Sequence, residues 1–507
     1  PCLVHIPSST LLYSPKPTHT TMATTTIAVS TPGKVLVSGG YVVLNGGHSL
    51  VLSTSSRFHS TISATHSASS ITVEPAISFK ILVNSPQFSK SWKYSSTWSP
   101  ASGHVPNDFT FKDTTESPSS GNIYVESALL YCLATAATHP ETSKILPGHY
   151  ELSITIQADN DFYSHSKALK AQGIVPTQEN LSKLENFAVL GSSIAKTGLG
   201  SSAALVSSLT ATFLTWSFGW STQSDLENHL NLVHNVAQVA HCQAQGKIGS
   251  GFDVSAALFG SQHYVKFNAN ALNGIMTLYS TAKTAMTGLT SFLETLRREI
   301  GGNWLTHKPK SIALPRGLSM VLGECGKDMN TPTSVRQVLA WADAKPTESK
   351  ELFQKLDLNN KRIIDLLTEL TSVSEKESES YDLTLHGCSK VAATEWETVV
   401  EKSSTLDLLC SIRDAFQLQR SLMQTLGKET TTPIEPEEIT RVLNGTQKLA
   451  GVLGVGAPGA GGYDAVYAIM VDRSAFPLVE QTWLTWEELP ISCLLSHEDG
   501  RGAILKQ

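Results

Sequence analysis

A glycine-rich segment at residues 196–204, with the sequence KTGLGSSAA, holds the groups best suited to chemistry. Its glycines let backbone N–H groups approach an anion, because no side chain stands in the way. Ser201 and Ser202 then open a helix, and a helix start has free N–H donors and a partial positive charge. Such a segment can hold phosphate groups, and a serine hydroxyl can reach a magnesium ion that bridges them. The alternative is a plain turn into a buried helix.

Two further polar residues lie in unusual backbone surroundings. Asp253 ends the segment GKIGSGFD, residues 246–253, whose three glycines predict a tight backbone directly after a helix. Lys34 stands between a Pro-Gly turn and an apolar strand, and a lysine in such surroundings is usually tethered to another group. The alternative to a chemical role is that Asp253 only forms a turn. His241, on the preceding helix, is expected to be structural.

Two other nucleotide motifs are excluded. The chain has no GxxxxGK[ST] segment, so a Walker-type site is not expected. The segment GVGAPGAGGYD at residues 454–464 has the glycines of a dinucleotide motif, but that motif must follow a strand and precede a helix. We expect the reverse order here, a helix before the segment and a strand after it.

Hydrophobic periodicity predicts the elements that position these segments. Ser224 and Glu227 form an expected capping box for a helix over residues 224–246, with Gly246 as its C-terminal cap. Because helices and strands are mixed throughout the chain, the class is α/β or α+β. The remaining predicted elements are strands at 25–29, 34–38, 49–62, 318–323 and 465–471, helices at 125–137, 203–218 and 437–453, a loop or irregular hairpin at 86–120 and a loop at 374–380.

Composition narrows the class of protein. Of 507 residues, 41% are apolar and 16% are charged, which excludes a disordered chain, a coiled coil and a fibre. The net charge is −6, from 38 basic and 44 acidic residues, so no broad surface for nucleic acid is expected. No stretch is apolar enough to span a membrane. None of the seven cysteines has a CxxC spacing, so neither a zinc ribbon nor a disulfide framework is expected.

The length predicts two domains, with a boundary near residue 314. Residues 1–24 are expected to be a disordered extension, residues 25–314 an N-terminal domain and residues 315–507 a C-terminal domain. The first segment lacks the features of a signal or transit peptide, so a cytoplasmic location is expected. A peroxisomal location is less favoured, because the chain ends in Leu-Lys-Gln rather than Ser-Lys-Leu.

The glycine-rich segments resemble, in order, the three motifs of the GHMP kinase superfamily. Within it, the chain is most similar to the phosphomevalonate kinase family. Six segments between about residues 28 and 470 carry this resemblance: PGKVL with GGY at 32–36 and 39–41, KTGLGSSAA at 196–204, ADNDFYS at 158–164, AQGKIGSGFD at 244–253, PIEP at 433–436 and PGAGGYD at 458–464.

The resemblance implies a fold and a reaction. The fold would be α+β, with an α/β-type N-terminal domain that contains a left-handed βαβ crossover, a ferredoxin-like C-terminal domain and a cleft between them. ATP with Mg²⁺ would phosphorylate (R)-5-phosphomevalonate to 5-diphosphomevalonate, in isoprenoid and sterol precursor synthesis. Another GHMP kinase, such as mevalonate kinase, and a catalytically inactive binding protein are the alternatives. The partners would be small molecules only, and the assembly a monomer or a homodimer.

The resemblance also implies roles for individual residues. The catalytic set would be Lys34, Asp253 and Ser202, with Ser202 also the magnesium ligand. Because the acceptor's phosphate is mostly deprotonated near neutral pH, Lys34 would stabilise charge, while Asp253 would orient Lys34 or the acceptor, or act as a base. The expected ATP-binding residues are Lys196, Gly198, Leu199, Gly200, Ser201, Ser202 and Ala203. The expected acceptor-binding residues are Lys34, Tyr41, Asn160, Lys247, Ser250, Arg420, Gly461 and Gly462.

Two features depart from the family pattern. Several relatives carry a helix glutamate shortly before the catalytic aspartate as a second magnesium ligand, whereas this chain has Gln243 and Gln245 there. Metal would then be held more by phosphates, water and Ser202. The loop at residues 323–333 has the family's glycine start and Thr-Pro helix cap but lacks the expected serine-rich middle.

Overall fold

The strands of the protein form two sheets. The computed structural model describes residues 24–67, 76–100, 105–116, 121–139, 144–191, 195–285, 289–305, 309–326 and 331–506. The expected extension over residues 1–24 therefore lies outside the described residues, except for Thr24. The strands are β1 (Thr24–Ser38), β2 (Ser49–Ser67), β3 (Ile77–Ser85), β4 (Lys90–Trp98), β5 (Thr110–Asp113), β6 (Gly148–Ala158), β7 (Gln262–Tyr264), β8 (Lys310–Ser311), β9 (Leu318–Glu324), β10 (Val452–Gly456), β11 (Ala465–Val471), β12 (Ser492–Cys493) and β13 (Ile504–Lys506).

Helices pack against these sheets and occur in long runs between the strands, for example between β6 and β7. The helices are α1 (Ile123–Thr138), α2 (Ser166–Ala171), α3 (Gln178–Leu181), α4 (Ser201–Phe218), α5 (Gln223–Asn228), α6 (Leu230–Gln245), α7 (Phe252–Phe259), α8 (Asn270–Ala285), α9 (Leu289–Ile300), α10 (Thr331–Ala344), α11 (Pro346–Lys376), α12 (Ser378–Cys388), α13 (Trp396–Val399), α14 (Ser404–Thr430), α15 (Glu437–Thr446) and α16 (Phe476–Leu484). Because most strand pairs are antiparallel, the predicted α+β class is confirmed. The left-handed crossover and the ferredoxin-like topology stay predictions.

The larger sheet has nine strands in the described residues, in the order β13-β1-β2-β6-β3-β4-β5, with β7 and β8 attached beside β2. Its one parallel pair there joins β3 to β6. The smaller sheet is antiparallel, in the order β10-β11-β9-β12. Because β13 pairs with β1, the C-terminal part of the chain contributes to both sheets. The division at residues 314 and 315 stays a prediction.

β1 is one strand with a bulge, so the prediction of two short strands is wrong. The pairing register with β2 shifts between Pro32 and Lys34, which marks a β-bulge. The Pro-Gly pair that was expected to end a strand therefore lies at this bulge, inside one continuous strand. At Gly33, a Cβ would lie 2.8 Å from Thr54 Oγ1 and 3.1 Å from the oxygen of Leu199. The bulge therefore lets the loop before α4 approach β1 closely, and the Lys34 N–H donates to the Leu199 oxygen at 2.9 Å.

α4 is a core helix between the larger sheet and helices α1 and α6. Of its 18 residues, 16 are buried, as expected for the apolar stretch at 203–218. Some of its buried hydroxyls are hydrogen-bonded, including those of Ser208 and Thr212, whereas those of Ser207 and Thr215 have no hydrogen-bond partner among the described residues. Thr31 on β1 donates to the oxygen of Ala204 at 2.8 Å, and the Ser60 and Ser208 hydroxyls lie 2.8 Å apart. These contacts fix the start of α4 relative to β1.

The smaller sheet presents its β10–β11 loop to β1. α15 and α16 cover one face of this sheet through a buried apolar cluster that includes Val442 and Trp483. The Gly459 N–H donates to the Leu36 oxygen at 2.9 Å, and the Tyr467 hydroxyl donates to the Val37 oxygen at 3.2 Å. The third glycine-rich segment is thereby held against the strand that carries Lys34. It begins in β10 and ends directly before β11, so a strand rather than the expected helix precedes its loop.

Two predicted helices differ in their ends. The helix expected over 224–246 is split at His229 into α5 and α6, and the capping box is formed by Thr222 and Asp225 instead of Ser224 and Glu227. Thr222 is the residue with an extended backbone, which a cap requires. Gly246 caps α6 as expected. The helix expected over 437–453 ends at Thr446, because β10 pairs with β11 from Val452 onward.

The stretch expected to be a loop or irregular hairpin contains a hairpin, whereas the predicted loop at 374–380 is wrong. Residues 86–120 include β4 and β5, which pair as an antiparallel hairpin. Residues 374–380 are helical except for the break at Glu377 between α11 and α12. The other predicted helices and strands are present. The described cysteines are all buried, and none of them forms a disulfide.

Candidate active site

The loop before α4 has the backbone of an anion-binding site. Gly198 and Gly200 both have a φ of 81°, and Gly200 occupies the N-cap of α4. A glycine cap has no side chain to accept the first helical N–H groups, so those of Ser201, Ser202 and Ala203 remain for a ligand. A Cβ at Gly200 would lie 3.0 Å from the Lys34 Cε, so glycine also leaves room for the lysine.

This loop lines a cavity of about 540 Å³, which we call the loop cavity. The opposite wall comes from the β10–β11 loop, including Gly461 and Asp464. Among the expected nucleotide ligands, Ala203 lies buried in the first turn of α4 and can contribute only its backbone. The loop-cavity lining includes the other expected nucleotide ligands, Lys196, Gly198, Leu199, Gly200, Ser201 and Ser202.

Lys34 reaches into the loop cavity from β1. Its Nζ donates to the Gly198 oxygen at 2.8 Å and lies 5.6 Å from the centre of the Phe252 ring. Burial lowers the pKa of the Lys34 ammonium, and the nearby carboxylates of Asp253 and Asp464 partly offset this effect. Lys34 therefore sits where a phosphoryl group in the loop cavity would meet a positive charge.

The lowered pKa of Lys34 predicts an alkaline limit to activity. If the ammonium must be charged, kcat/KM falls as the pH rises through the pKa of Lys34, which lies below the ordinary lysine value of 10.5. The measurement is a profile of kcat/KM for ATP across neutral and alkaline pH. In Lys34→Arg, whose guanidinium keeps its proton, the remaining activity should lose this alkaline limb. An unchanged limb in that variant would assign it to another group.

Asp253 lies in a second cavity, of about 730 Å³, which we call the aspartate cavity. The residue stands in the first turn of α7, and its Oδ1 accepts the N–H of Val254 at 3.0 Å. The two cavities adjoin, since both are lined by Phe252 and Leu36. Lys34 and Asp253 thus face neighbouring cavities across Phe252, close enough for their charges to interact.

Three of the expected acceptor ligands line the aspartate cavity: Tyr41, Lys247 and Ser250. Tyr41 has a φ of 64°, rare for a residue with a side chain, and its hydroxyl donates to the Ala460 oxygen at 2.9 Å. Burial raises the pKa of the Tyr41 hydroxyl well above its usual range, so it acts as a hydrogen-bond donor. Lys247 is exposed at the rim, and the Ser250 oxygen accepts from Tyr264 at 2.6 Å.

Two expected acceptor ligands, Asn160 and Arg420, lie outside the loop cavity and the aspartate cavity and make contacts within the protein, so their role in binding stays a prediction. The Asn160 amide donates to the Glu185 oxygen and accepts the Ala188 N–H, both at 2.9 Å, and so holds a neighbouring loop. Arg420 makes a two-pronged ion pair with Glu435, whose carboxylate is nearly fully buried. Glu435 lies in the segment PIEP, 15 residues after Arg420, and Glu185 and Ala188 follow Asn160 by 25 and 28 residues, so the motif around each residue did not show these contacts.

The two expected glycine ligands differ from each other. Gly461 lines the loop cavity, whereas the Gly462 N–H donates to the Ile434 oxygen at 2.7 Å and is used within the protein.

The two glutamines that replace the family's helix glutamate have different hydrogen-bond partners. Gln243 accepts from the Tyr131 hydroxyl at 3.4 Å, while Gln245 lies 3.3 Å from His241 Nε2. Within the loop at 323–333, residues 327–330 lie outside the described residues.

Sequence reasoning missed three charged residues of the site. Asp464 ends the third glycine-rich segment and lines the loop cavity, so its place in that segment was an available signal. Lys266 and Arg336 line the aspartate cavity from outside every motif. Lys266 donates to the Leu44 oxygen at 3.1 Å. Arg336 lies on α10, the helix that follows β9 of the smaller sheet. Only the fold brings these two cations together.

A third cavity, of about 460 Å³, continues from the Ser201–Ser202 pair, and we call it the aromatic cavity. Its walls include the rings of Phe88, Trp92, Tyr124 and Tyr163, with Lys196 at the edge. Flat apolar walls beside a phosphate-binding loop suit a planar base. Composition and motifs did not indicate this site, because Phe88 and Trp92 lie in a stretch without clear periodicity that was expected to be a loop or irregular hairpin.

The donor set around Ser202 fits a magnesium ion that is held mainly by substrate phosphates. Ser202 offers a hydroxyl oxygen at the mouth of the loop, and Asp464 and Asp253 line the adjoining cavities. In the described part of the chain, no cluster of three or more metal-binding side chains forms a cage for a metal. Mg²⁺ usually keeps water and phosphate ligands and needs only one or two protein ligands.

We find no helix among the described residues with the length and apolarity to cross a bilayer.

Comparison with known proteins decides the family. Residues 177–261 match the family described as GHMP kinases N terminal domain. The chain is 33% identical over 429 residues to the peroxisomal phosphomevalonate kinase of Arabidopsis thaliana, covering 79% of this chain and 81% of the relative. The chain belongs to the phosphomevalonate kinase family. A phosphomevalonate kinase of Gibberella zeae is 31% identical over 458 residues, with 88% of each chain covered.

Solved structures agree on the fold of this phosphomevalonate kinase family member. The Lin0012 protein of Listeria innocua matches with a TM-score of 0.57 and 16% identity, over 95% of this chain and all of that one. The phosphomevalonate kinase of Streptococcus pneumoniae, solved with phosphomevalonate and AMPPNP, matches with a TM-score of 0.54 and 14% identity, over 93% of this chain and all of that one. The GHMP kinase fold expected from the motifs is confirmed.

Proposed function

We propose that this protein transfers the γ-phosphoryl group of ATP to (R)-5-phosphomevalonate, which yields 5-diphosphomevalonate and ADP in the mevalonate pathway of isoprenoid and sterol precursor synthesis. The observation that carries the proposal is the junction of the loop cavity and the aspartate cavity, with Lys34 on one side and Asp253 on the other. Curated relatives at 31–33% identity are named for this activity.

ATP binds across the loop cavity and the aromatic cavity in this proposal. Its phosphates accept from the N–H groups at the start of α4, and its base stacks among Phe88, Trp92 and Tyr124. Ser202 is the protein ligand of Mg²⁺, which shields the negative charge of the phosphates. Lys196 stands between the two cavities and lines both of them.

The acceptor binds in the aspartate cavity, with its terminal phosphate toward Lys34. That phosphate has a second pKa of about 6 and is mostly deprotonated near neutral pH, so it needs no strong base. The larger barrier is the repulsion between two polyanions, which cations and fixed positions must overcome. Lys34 supplies positive charge at the transferring group, and Asp253 holds Lys34 and the acceptor in place.

Parallel ADP-release assays test this activity against its alternatives. Phosphomevalonate, mevalonate and galactose are supplied separately at equal concentration with ATP and Mg²⁺. We expect turnover with phosphomevalonate and at most background with the other two. Turnover on mevalonate but not on phosphomevalonate would establish a different GHMP kinase, and saturable binding without any turnover would establish an inactive binding protein.

Lys266 and Arg336 should determine the preference for a phosphorylated acceptor. Each of the substitutions Lys266→Met and Arg336→Met removes a cation from the aspartate cavity, and we expect each to raise KM for phosphomevalonate about tenfold. KM for ATP should change less than twofold, because neither residue lines the loop cavity. Lys355→Met on the exposed face of α11 is the matched control. Equal rises in both KM values would contradict this assignment.

The remaining expectations stay proposals. We propose a division into an extension at 1–24, an N-terminal ATP-binding domain at 25–314 and a C-terminal domain at 315–507, with the last strand returning to the larger sheet. We also propose a monomer or homodimer in the cytoplasm. The Arabidopsis relative is named as peroxisomal, so imaging of a tagged chain in its own cells decides between these compartments.

A further inference from the structure

His241 lies directly behind the serine that faces the phosphates. It projects from α6, is only 2% exposed, and its Nε2 lies 3.1 Å from Ser202 Oγ. The amide nitrogen of Gln245, one turn further along α6, lies 3.3 Å from the same Nε2. Two polar groups therefore meet at one nitrogen of a buried ring.

The placement of the Gln245 amide sets the direction of both hydrogen bonds, because its nitrogen rather than its oxygen is the atom turned toward Nε2. An amide nitrogen can only donate, so Nε2 must offer its lone pair to Gln245. A ring nitrogen with its lone pair exposed carries no proton, and the Ser202 hydroxyl must then donate to it as well. The proton of Ser202 is thereby directed toward α6, and the lone pairs of Oγ are left for a cation.

We propose that His241 is a positioning residue that holds the Ser202 hydroxyl proton away from the nucleotide, so that Oγ presents its lone pairs to the Mg²⁺ that accompanies the phosphates. The inference rests on the proposed function. Without His241, the hydroxyl would rotate among several orientations, and some would point the proton at the cation. A buried acceptor removes that freedom before the nucleotide arrives.

The location of the contact supports this role. Ser202 lines the loop cavity and the aromatic cavity, whereas His241 lines the aspartate cavity, so their hydrogen bond crosses the wall between nucleotide and acceptor. The Tyr124 ring lies 5.8 Å from the His241 ring and limits its movement. Asp253 and Lys196 are the charged groups that act on the imidazole. Every one of these neighbours belongs to a cavity wall.

Titration calorimetry with AMPPNP, in the presence and absence of Mg²⁺, tests the proposal on the full chain. His241→Phe keeps a ring beside Tyr124 but removes the acceptor, and His241→Gln restores an acceptor oxygen at a similar reach. We expect His241→Phe to weaken binding of Mg²⁺·AMPPNP about five- to tenfold and to leave metal-free AMPPNP binding within twofold. His241→Gln should recover most of the loss.

A double-mutant cycle separates positioning from packing. If His241 acts through Ser202, His241→Phe should have no further effect on Mg²⁺·AMPPNP binding in a Ser202→Ala background. Additive losses, or equal losses with and without metal, would overturn the proposal. His241→Met is a second apolar variant with a flexible chain, for use if the phenylalanine variant does not fold. Because calorimetry needs no acceptor, a failed phosphomevalonate assay with wild-type protein would refute the proposed function independently.

Discussion

Replacing Lys34 by methionine should lower kcat by at least about a hundredfold, because it removes the positive charge beside the transferring phosphoryl group. Removing one preorganised donor from a transition state commonly costs a hundred- to a thousandfold. The charge of Lys34 also reduces the repulsion between two polyanions, so we expect the fall in kcat to lie toward the upper end of this range. The measurement is steady-state kinetics with phosphomevalonate as the varied substrate at saturating ATP.

The fold should survive this change. Methionine has a similar length, and the lost contact to the Gly198 oxygen lies at a cavity that water can enter. Burial lowers the pKa of Lys34, so the charged ammonium costs stability below the ordinary lysine pKa, where the unfolded chain carries the proton. The melting temperature at neutral pH should therefore stay equal or rise. Lys80→Met, an exposed lysine on β3, is the matched control, and near-normal activity of Lys34→Met would remove Lys34 from the catalytic set.

Replacing Asp253 by asparagine should also lower kcat by about a hundredfold or more, with a smaller change in KM. The amide oxygen can still accept the Val254 N–H, so α7 should keep its start. What disappears is the negative charge that acts on Lys34 and faces the acceptor. Circular dichroism and the melting temperature should match those of the wild type.

The pH profile of Asp253→Asn separates an orienting role from a base. If Asp253 only orients, the acid limb of kcat/KM, set by the acceptor's phosphate near pH 6, should persist in the variant. If Asp253 is the base, that limb should disappear along with the activity. Asp365→Asn, an exposed carboxylate paired with Lys361 on α11, is the matched control. Near-normal kcat in Asp253→Asn would exclude both roles.

The parts of the site that were predictable from sequence are those built by neighbouring residues. The loop at 196–204 combines two glycines at positive φ with a helix start, and all of its chemistry is local. Gly246 as a helix cap and the buried α4 are local in the same sense. In short segments of this kind, the residue types of the segment itself determine its backbone geometry.

The parts that failed depend on contacts between distant segments. Arg420 and Asn160 resemble free ligands in sequence, yet each is used by partners that the fold supplies. Lys266 and Arg336 have no motif and meet only because α10 approaches the first half of the chain. The bulge in β1 likewise depends on its pairing with β2, since Pro32 and Gly33 alone indicate a break.

Phosphorus NMR of the complete reaction tests the central claim most directly. With ATP, Mg²⁺ and phosphomevalonate, we predict that the acceptor's monoester signal disappears while two mutually coupled diphosphate signals and those of ADP appear. A second coupled pair, besides that of ADP, requires a new P–O–P bond on the acceptor, because hydrolysis of ATP yields only the ADP pair and orthophosphate. Release of orthophosphate with an unchanged monoester signal would contradict the claim that this protein transfers a phosphoryl group to a phosphate.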